Sequence, residues 1–157
     1  MSRLPRTVGI IAIVAGVVMI VAGAVTYYVV GRELDDEHIV VSDDADYFAG
    51  EDVSGPFTAY SEAMVIKDHA AEIADGLTYA QLEQDDPRRD SVMTSSFLRA
   101  SLFTSVVAFG VAVLVMGLGV LFILVGLSLR ALDRRTAAPV PVDAPEPELT
   151  SSAAATT

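Results

Sequence analysis

The chain has 157 residues, with 21 acidic and 10 basic side chains, no Cys and a hydrophobic share of 52%. Its pI is near 4.3 while its mean hydropathy is +0.49, so charge and apolar side chains must lie in separate stretches, which excludes a soluble enzyme built around one large core. The acidity also excludes a nucleic-acid binder, which needs a basic footprint.

Residues 1–7 carry Arg3 and Arg6 and lead into Val8–Val30, 23 residues without a charge. At 1.5 Å per residue this run gives roughly 34 Å of helix against a hydrocarbon core of about 30 Å, enough for one crossing. A cleaved signal peptide is the competing reading, because Ala22-Gly23-Ala24 has the small-x-small form of a cleavage site. Against it, the apolar run exceeds the usual h-region of about 7–15 residues and continues through Val29 and Val30. Tyr27 and Tyr28 suit the outer aromatic belt, with an apolar ring body and a wet hydroxyl.

Residues 31–99 hold seventeen acids against Arg32, Lys67, Arg88, Arg89 and Arg99. The segment also carries many large apolar side chains, so a small packed unit is expected rather than a solvated tail. His38–Ser42 reads as a short strand. Gly55-Pro56 opens a helix and Gly76 closes it, Pro fitting the first turn and Gly the C-terminal position. At 100° per residue Ala59, Tyr60, Ala63, Met64, Ile66, Ala70, Ala71, Ile73 and Ala74 form a contact face, with Glu62, Asp68, His69, Glu72 and Asp75 opposite. Thr78-Tyr79-Ala80-Gln81 reads as a capping box starting a short second helix that must end before Pro87. Asp86-Pro87 reads as N-cap and first position of a third helix running unbroken into the next apolar stretch.

That stretch, Ala100–Leu129, has 30 uncharged residues and is greasiest from Val106 to Leu127. It suits a tilted span, or one whose outer turns leave the lipid. Arg130, Arg134 and Arg135 follow it. Because Lys and Arg resist translocation while Asp and Glu count for little, both termini are placed in the cytoplasm and 31–99 outside. The tail, residues 130–157, is rich in Pro, Ala, Ser and Thr and is expected to be disordered from about Thr136. The fold class is therefore an all-α membrane protein: a two-span transmembrane helical hairpin with a small acidic, mainly helical extracytoplasmic segment.

Neither apolar run contains an acid, a base or a His, so an ion pathway or proton relay has no intramembrane group to work with. Small residues do recur at helical spacing: Gly9, Gly16 and Gly23; Gly110 and Gly117; Gly119 and Gly126; and the pair Ala12 and Gly16. Such stripes let helices approach closely where lipid supplies no hydrophobic drive. They suit either packing of the two spans on each other, or a face for a membrane or envelope partner or a second copy. In the acidic segment Asp43, Asp44 and Asp46 are candidate Ca²⁺ ligands, but the EF-hand register fails at Phe48 and at Ala49, where that loop needs Gly. Glu62, His69 and Glu72 share the polar helix face and could sense pH or contribute to a metal site, although one helix shows no second half of such a site. No Ser-nucleophile, phosphate-loop, dinucleotide or Cys-metal pattern occurs, so no catalytic residue and no cofactor is expected.

Three blocks, MSRLPRTVGIIAIVAGVVMIVAGAVTYYVV, DDADYFAGEDVSGPFTAYSEAMVIKDHAAEIADGLTYAQL and DPRRDSVMTSSFLRASLFTSVVAFGVAVLVMGLGVLFILVG, cover most of residues 1–132. Along them the chain resembles small actinobacterial two-span membrane proteins of unassigned function, whose members often carry the label "aromatic ring-opening dioxygenase". The resemblance implies topology and location. It carries over no catalytic residue, since non-haem iron chemistry calls for two His and a carboxylate at one open site and His38 and His69 show no such constellation. The expected role is a non-catalytic accessory or interaction subunit of an envelope or membrane complex. The alternatives are an extracytoplasmic divalent-cation or pH sensor and, more remotely, a dioxygenase component.

Overall fold

The computed structural model of the protein describes residues 4–136, with side chains from Arg6 to Leu132. The tail beyond Thr136, with its expected disorder, lies outside the described residues, as do Arg3 and the side chains of Arg134 and Arg135. Three helices form in order: α1 (Leu4–Asp36), α2 (Pro56–Ile73) and α3 (Arg89–Thr136). Among the described residues there is no strand. The protein is all-helical, and α1 and α3 are each long and apolar enough to cross a membrane.

The two long helices run antiparallel, and their register is fixed by glycine. A β-carbon placed on Gly9, Gly16 or Gly23 would lie 2.9, 2.5 or 2.7 Å from the carbonyl oxygen of Gly126, Gly119 or Ala112. The contact is reciprocal at Gly119 and Gly126, whose own β-carbons would lie 2.6 and 2.5 Å from the carbonyls of Gly16 and Gly9. Both helices thus present a small residue every seven positions to the other, the period that keeps one seam in contact along two helices. Gly110 and Gly117 face open space, and Ala12 is half-buried beside the ladder. Most of the small-residue stripe is therefore consumed between α1 and α3. Thr26, Thr104, Ser105 and Ser128 each donate to the carbonyl four residues back, at 2.8–3.3 Å, which leaves those hydroxyls satisfied within an apolar surface.

Above the ladder the seam widens to large side chains. Tyr27 meets Phe109 edge-on with ring centroids 4.7 Å apart. Phe109 and Leu34 are buried together with Val41, Val53, Ala59, Ala63 and Leu102. This core joins α1, α3, α2 and the connection 37–55, so the first turns of Ala100–Leu129, as far as Phe109, pack on protein, and only the part from Gly110 onward lies beyond the core.

Two local expectations change. His38–Ser42 makes no strand: His38 sits at φ 52°, and Phe48 and Gly50, at φ 61° and 76°, reverse the chain at once. What survives is one antiparallel bridge, Val40 with Asp52, supported by Val41 N–H to Glu51 O (2.9 Å) and Val53 N–H to Ile39 O (2.8 Å). Thr78–Gln81 makes its cap but no helix. Gln81 Oε1 accepts from Thr78 N–H at 2.8 Å and from the Thr78 hydroxyl at 2.9 Å, yet only one turn follows, because Leu82 is drawn into a second core with Ala74 and Val92.

The helix ends of the acidic segment follow local rules. Thr58 turns its hydroxyl back to Gly55 N–H (3.2 Å) at the start of α2. Gly76, at φ 82°, ends it by donating to Ala71 O at 2.7 Å, a conformation that costs a β-carbon-bearing residue about 1–2 kcal/mol. Asp86 accepts from Arg88 N–H at 2.8 Å ahead of α3, and Arg88 also bridges Asp86 (2.9 Å) and Asp75 (2.7 Å), tying the two helix ends together.

Candidate recognition groove on the acidic segment

The groove is built by α2 and the connection that precedes it. Ala59, Ala63 and Val65 are buried, and Tyr60 meets Phe103 of α3 edge-on at 5.9 Å, so α2 lies along α3. The predicted contact face is only partly right. Tyr60 and Ile73 remain 49% and 46% exposed, while Glu62, expected on the polar face, is buried at 7%. The reason is a second neighbour: Glu62 Oε2 accepts from Ser42 N–H at 2.8 Å and Oε1 from the Ser42 hydroxyl at 3.3 Å. An orphaned backbone N–H beside a helix is a costly group, and a carboxylate is a strong acceptor for it. Glu62 is therefore a structural latch.

Two further side chains pin the same connection. The Ser61 hydroxyl donates to Tyr47 O at 2.7 Å, and His69 Nε2 lies 2.6 Å from Asp44 Oδ2. The hydrogen bond to Asp44 raises the pKa of His69 above its usual 6.5, with smaller help from the negative charge of Asp44, Glu72 and Glu62 and against the effect of desolvation. The same bond holds Asp44 below the usual 3.8.

Between these pins the two elements stand apart and leave a half-open cavity of about 430 Å³, within the range of small-molecule sites. Its lining combines Tyr47, Phe48, Phe57, Tyr60 and Met64 with Asp44, Asp46, Asp68, His69 and Glu72, and along α2 the apolar members precede the acidic ones. Four of the six acidic or His candidates read from sequence, Asp44, Asp46, His69 and Glu72, are thus brought together. Asp43 does not line the cavity, and Glu62 points instead to Ser42. Among the described residues no three His, Asp or Glu side chains converge as metal ligands, and His38 lies in the turn after α1, outside the groove lining.

The aromatic half is not legible as part of a site in the sequence. Tyr47, Phe48 and Phe57 read there only as apolar residues of a packed unit, yet Tyr47 and Phe57 are both 73% exposed. The chain matches no protein-family model, no curated protein and no solved structure.

Proposed function

We propose that the protein is a non-catalytic membrane subunit: a two-span hairpin with both termini in the cytoplasm, whose acidic outer segment engages another component of a cell-envelope or membrane complex. The supporting observation is where apolar surface is left bare. The glycine ladder is occupied within the hairpin, so it supplies no partner face there and gives α1 a reason to be retained rather than cleaved. Phe97 and Leu98, adjacent on α3, remain 68% and 51% exposed. If Tyr27 marks the outer belt, Phe109 stands at that level, and Phe97, twelve residues earlier on one helix, lies about 18 Å outside it. Bare large apolar side chains in water mark a contact surface. A photo-crosslinking residue at Phe97 in the native membrane is expected to capture one envelope component stoichiometrically. Absence of any adduct there, with a monomer recovered from mild detergent, would overturn the proposal.

A pH-responsive role is the second reading, favoured by the His69–Asp44 pair. Changing pH through the titration of His69 alters the charge at one of the three pins that hold the connection to α2.

A further inference from the structure

We infer that the groove between α2 and residues 44–48 is a binding site for a small organic cation with an apolar body, an ammonium joined to an aromatic or short aliphatic group. The inference goes beyond the partner contact at Phe97 and does not depend on it.

Three features of the cavity converge on that ligand class. The first is its polarity gradient. The α2 wall of the groove carries Phe57, Tyr60 and Met64 before Asp68, His69 and Glu72, and across the boundary Met64 and Asp68 stand one turn apart, about 6 Å at helical rise. An occupant must therefore be apolar at one end and positively charged at the other. The second is the state of the carboxylates. Asp44 is paired with His69 and Asp68 lies 3.6 Å from Lys67, whereas Asp46 and Glu72 take part in neither pair. The site keeps net negative charge even with His69 protonated. The third is the ring content. Tyr47, Phe48, Phe57 and Tyr60 all line the same cavity, and a cation seated over the face of such a ring is attracted by its quadrupole in addition to the carboxylates. An anion would meet like charge. A neutral apolar molecule would leave the acidic end unanswered, and a bare metal ion would find no three converging ligands among the described residues.

The half-open, preformed cavity favours a small molecule over a basic protein segment. Its walls are held by the Ser61, Glu62 and His69 contacts, and a volume near 430 Å³ holds a compact ligand rather than a run of peptide. His69 then becomes a modulator. When protonated it neutralises Asp44 at the cation end, so occupancy should increase as pH rises through the raised pKa of His69. The charged groups around it are Asp44 and Asp46 from the connection, and Glu62, Lys67, Asp68 and Glu72 from α2.

The test uses the full chain in zwitterionic phosphatidylcholine nanodiscs and benzyltrimethylammonium as probe, read by calorimetry and by ligand NMR. Saturable one-to-one binding is expected, weakened about tenfold in D46N/E72Q and also weakened in Y47A. Both sets of substitutions are at exposed side chains, so an unchanged circular dichroism spectrum and melting temperature certify the fold. Tetramethylammonium and benzyl alcohol, which carry the charge and the body separately, should each bind more weakly than the probe. Three results would overturn the inference: no saturable binding, equal binding of benzyl alcohol, or binding of a lysine-rich peptide without binding of the probe. If Phe97 still captures its partner in that event, the accessory-subunit reading survives and only the ligand site is lost.

Discussion

Replacing Gly16 by Ala tests the packing of α1 on α3 at one of the two tightest contacts between them. The added methyl would lie 2.5 Å from Gly119 O, 2.7 Å from Ile123 Cγ1 and 3.0 Å from Ile123 N. Carbon-to-carbonyl contacts settle at about 3.3–3.6 Å, so the helices must part by roughly 0.8 Å or more. Two of the three obstructing atoms are backbone, which no rotamer change can move aside. Overpacking of this kind costs about 1–3 kcal/mol. Ala also gains about 1 kcal/mol of helix propensity over Gly, so Gly16→Ala alone understates the clash. Gly117→Ala supplies the correction: it lies on α3 with nothing within 4 Å of its β-carbon and carries the same propensity gain without the contact. The stability difference between the two variants is then the clash itself, about 1–3 kcal/mol against Gly16→Ala. It would be read from unfolding titrations with SDS in mixed micelles, followed by circular dichroism. Gly119→Ala should behave like Gly16→Ala, and the double variant should cost less than the sum, because one separation of the helices relieves both contacts. Equal stability of Gly16→Ala and Gly117→Ala would refute the proposed register.

Further predictions concern the acidic segment. Histidine NMR should place the pKa of His69 above 6.5 in the native chain and bring it back toward that value in Asp44→Asn, since the largest cause of the shift is the hydrogen bond to Asp44; an unchanged value in the variant would contradict the pairing. By linkage, the contribution of His69 to folding is complete below about 6.5 and lost as pH rises through its raised pKa. That of Asp44 is present above 3.8 and lost as pH falls through its lowered one. Glu62→Ala leaves Ser42 N–H without its carboxylate and should cost about 1–3 kcal/mol, seen as faster proteolysis within residues 38–53. Protection equal to that of the native chain would show that Glu62 is no latch. Asp86→Ala removes the acceptor for Arg88 N–H and the anchor of the Arg88 side chain just ahead of α3, and a loss of about 1 kcal/mol is expected in the same SDS titration.

The helical elements were legible because their signals are local. Uncharged runs mark α1 and α3, Gly55-Pro56 and Gly76 bracket α2, and Asp86-Pro87, read as N-cap and first helical position, falls two residues early, in the turn ahead of α3, which begins at Arg89. The glycine spacing also showed that close packing was intended, but not with whom. Only the structure separates Gly9, Gly16, Gly23, Gly119 and Gly126, which meet across the hairpin, from Gly110 and Gly117, which do not. Periodicity misplaces Glu62 because it assigns a helix one buried face, whereas α2 has two neighbours and the second contributes a backbone donor twenty residues away. The groove was legible in half. Acidic residues and His69 stand out by charge, while Tyr47 and Phe57 look like core residues, yet Tyr47, beside the turn at Phe48 and Gly50, and Phe57, in the first turn of α2, both lie at the surface.

The central claim is that the hairpin displays the acidic groove outside the cell with both termini inside. Since the chain has no Cys, single cysteines introduced as Glu51→Cys and Ser151→Cys can be probed on intact cells with a membrane-impermeant maleimide. The account predicts labelling at position 51 before lysis and at position 151 only after it. Labelling at 151 on intact cells with 51 protected would contradict it.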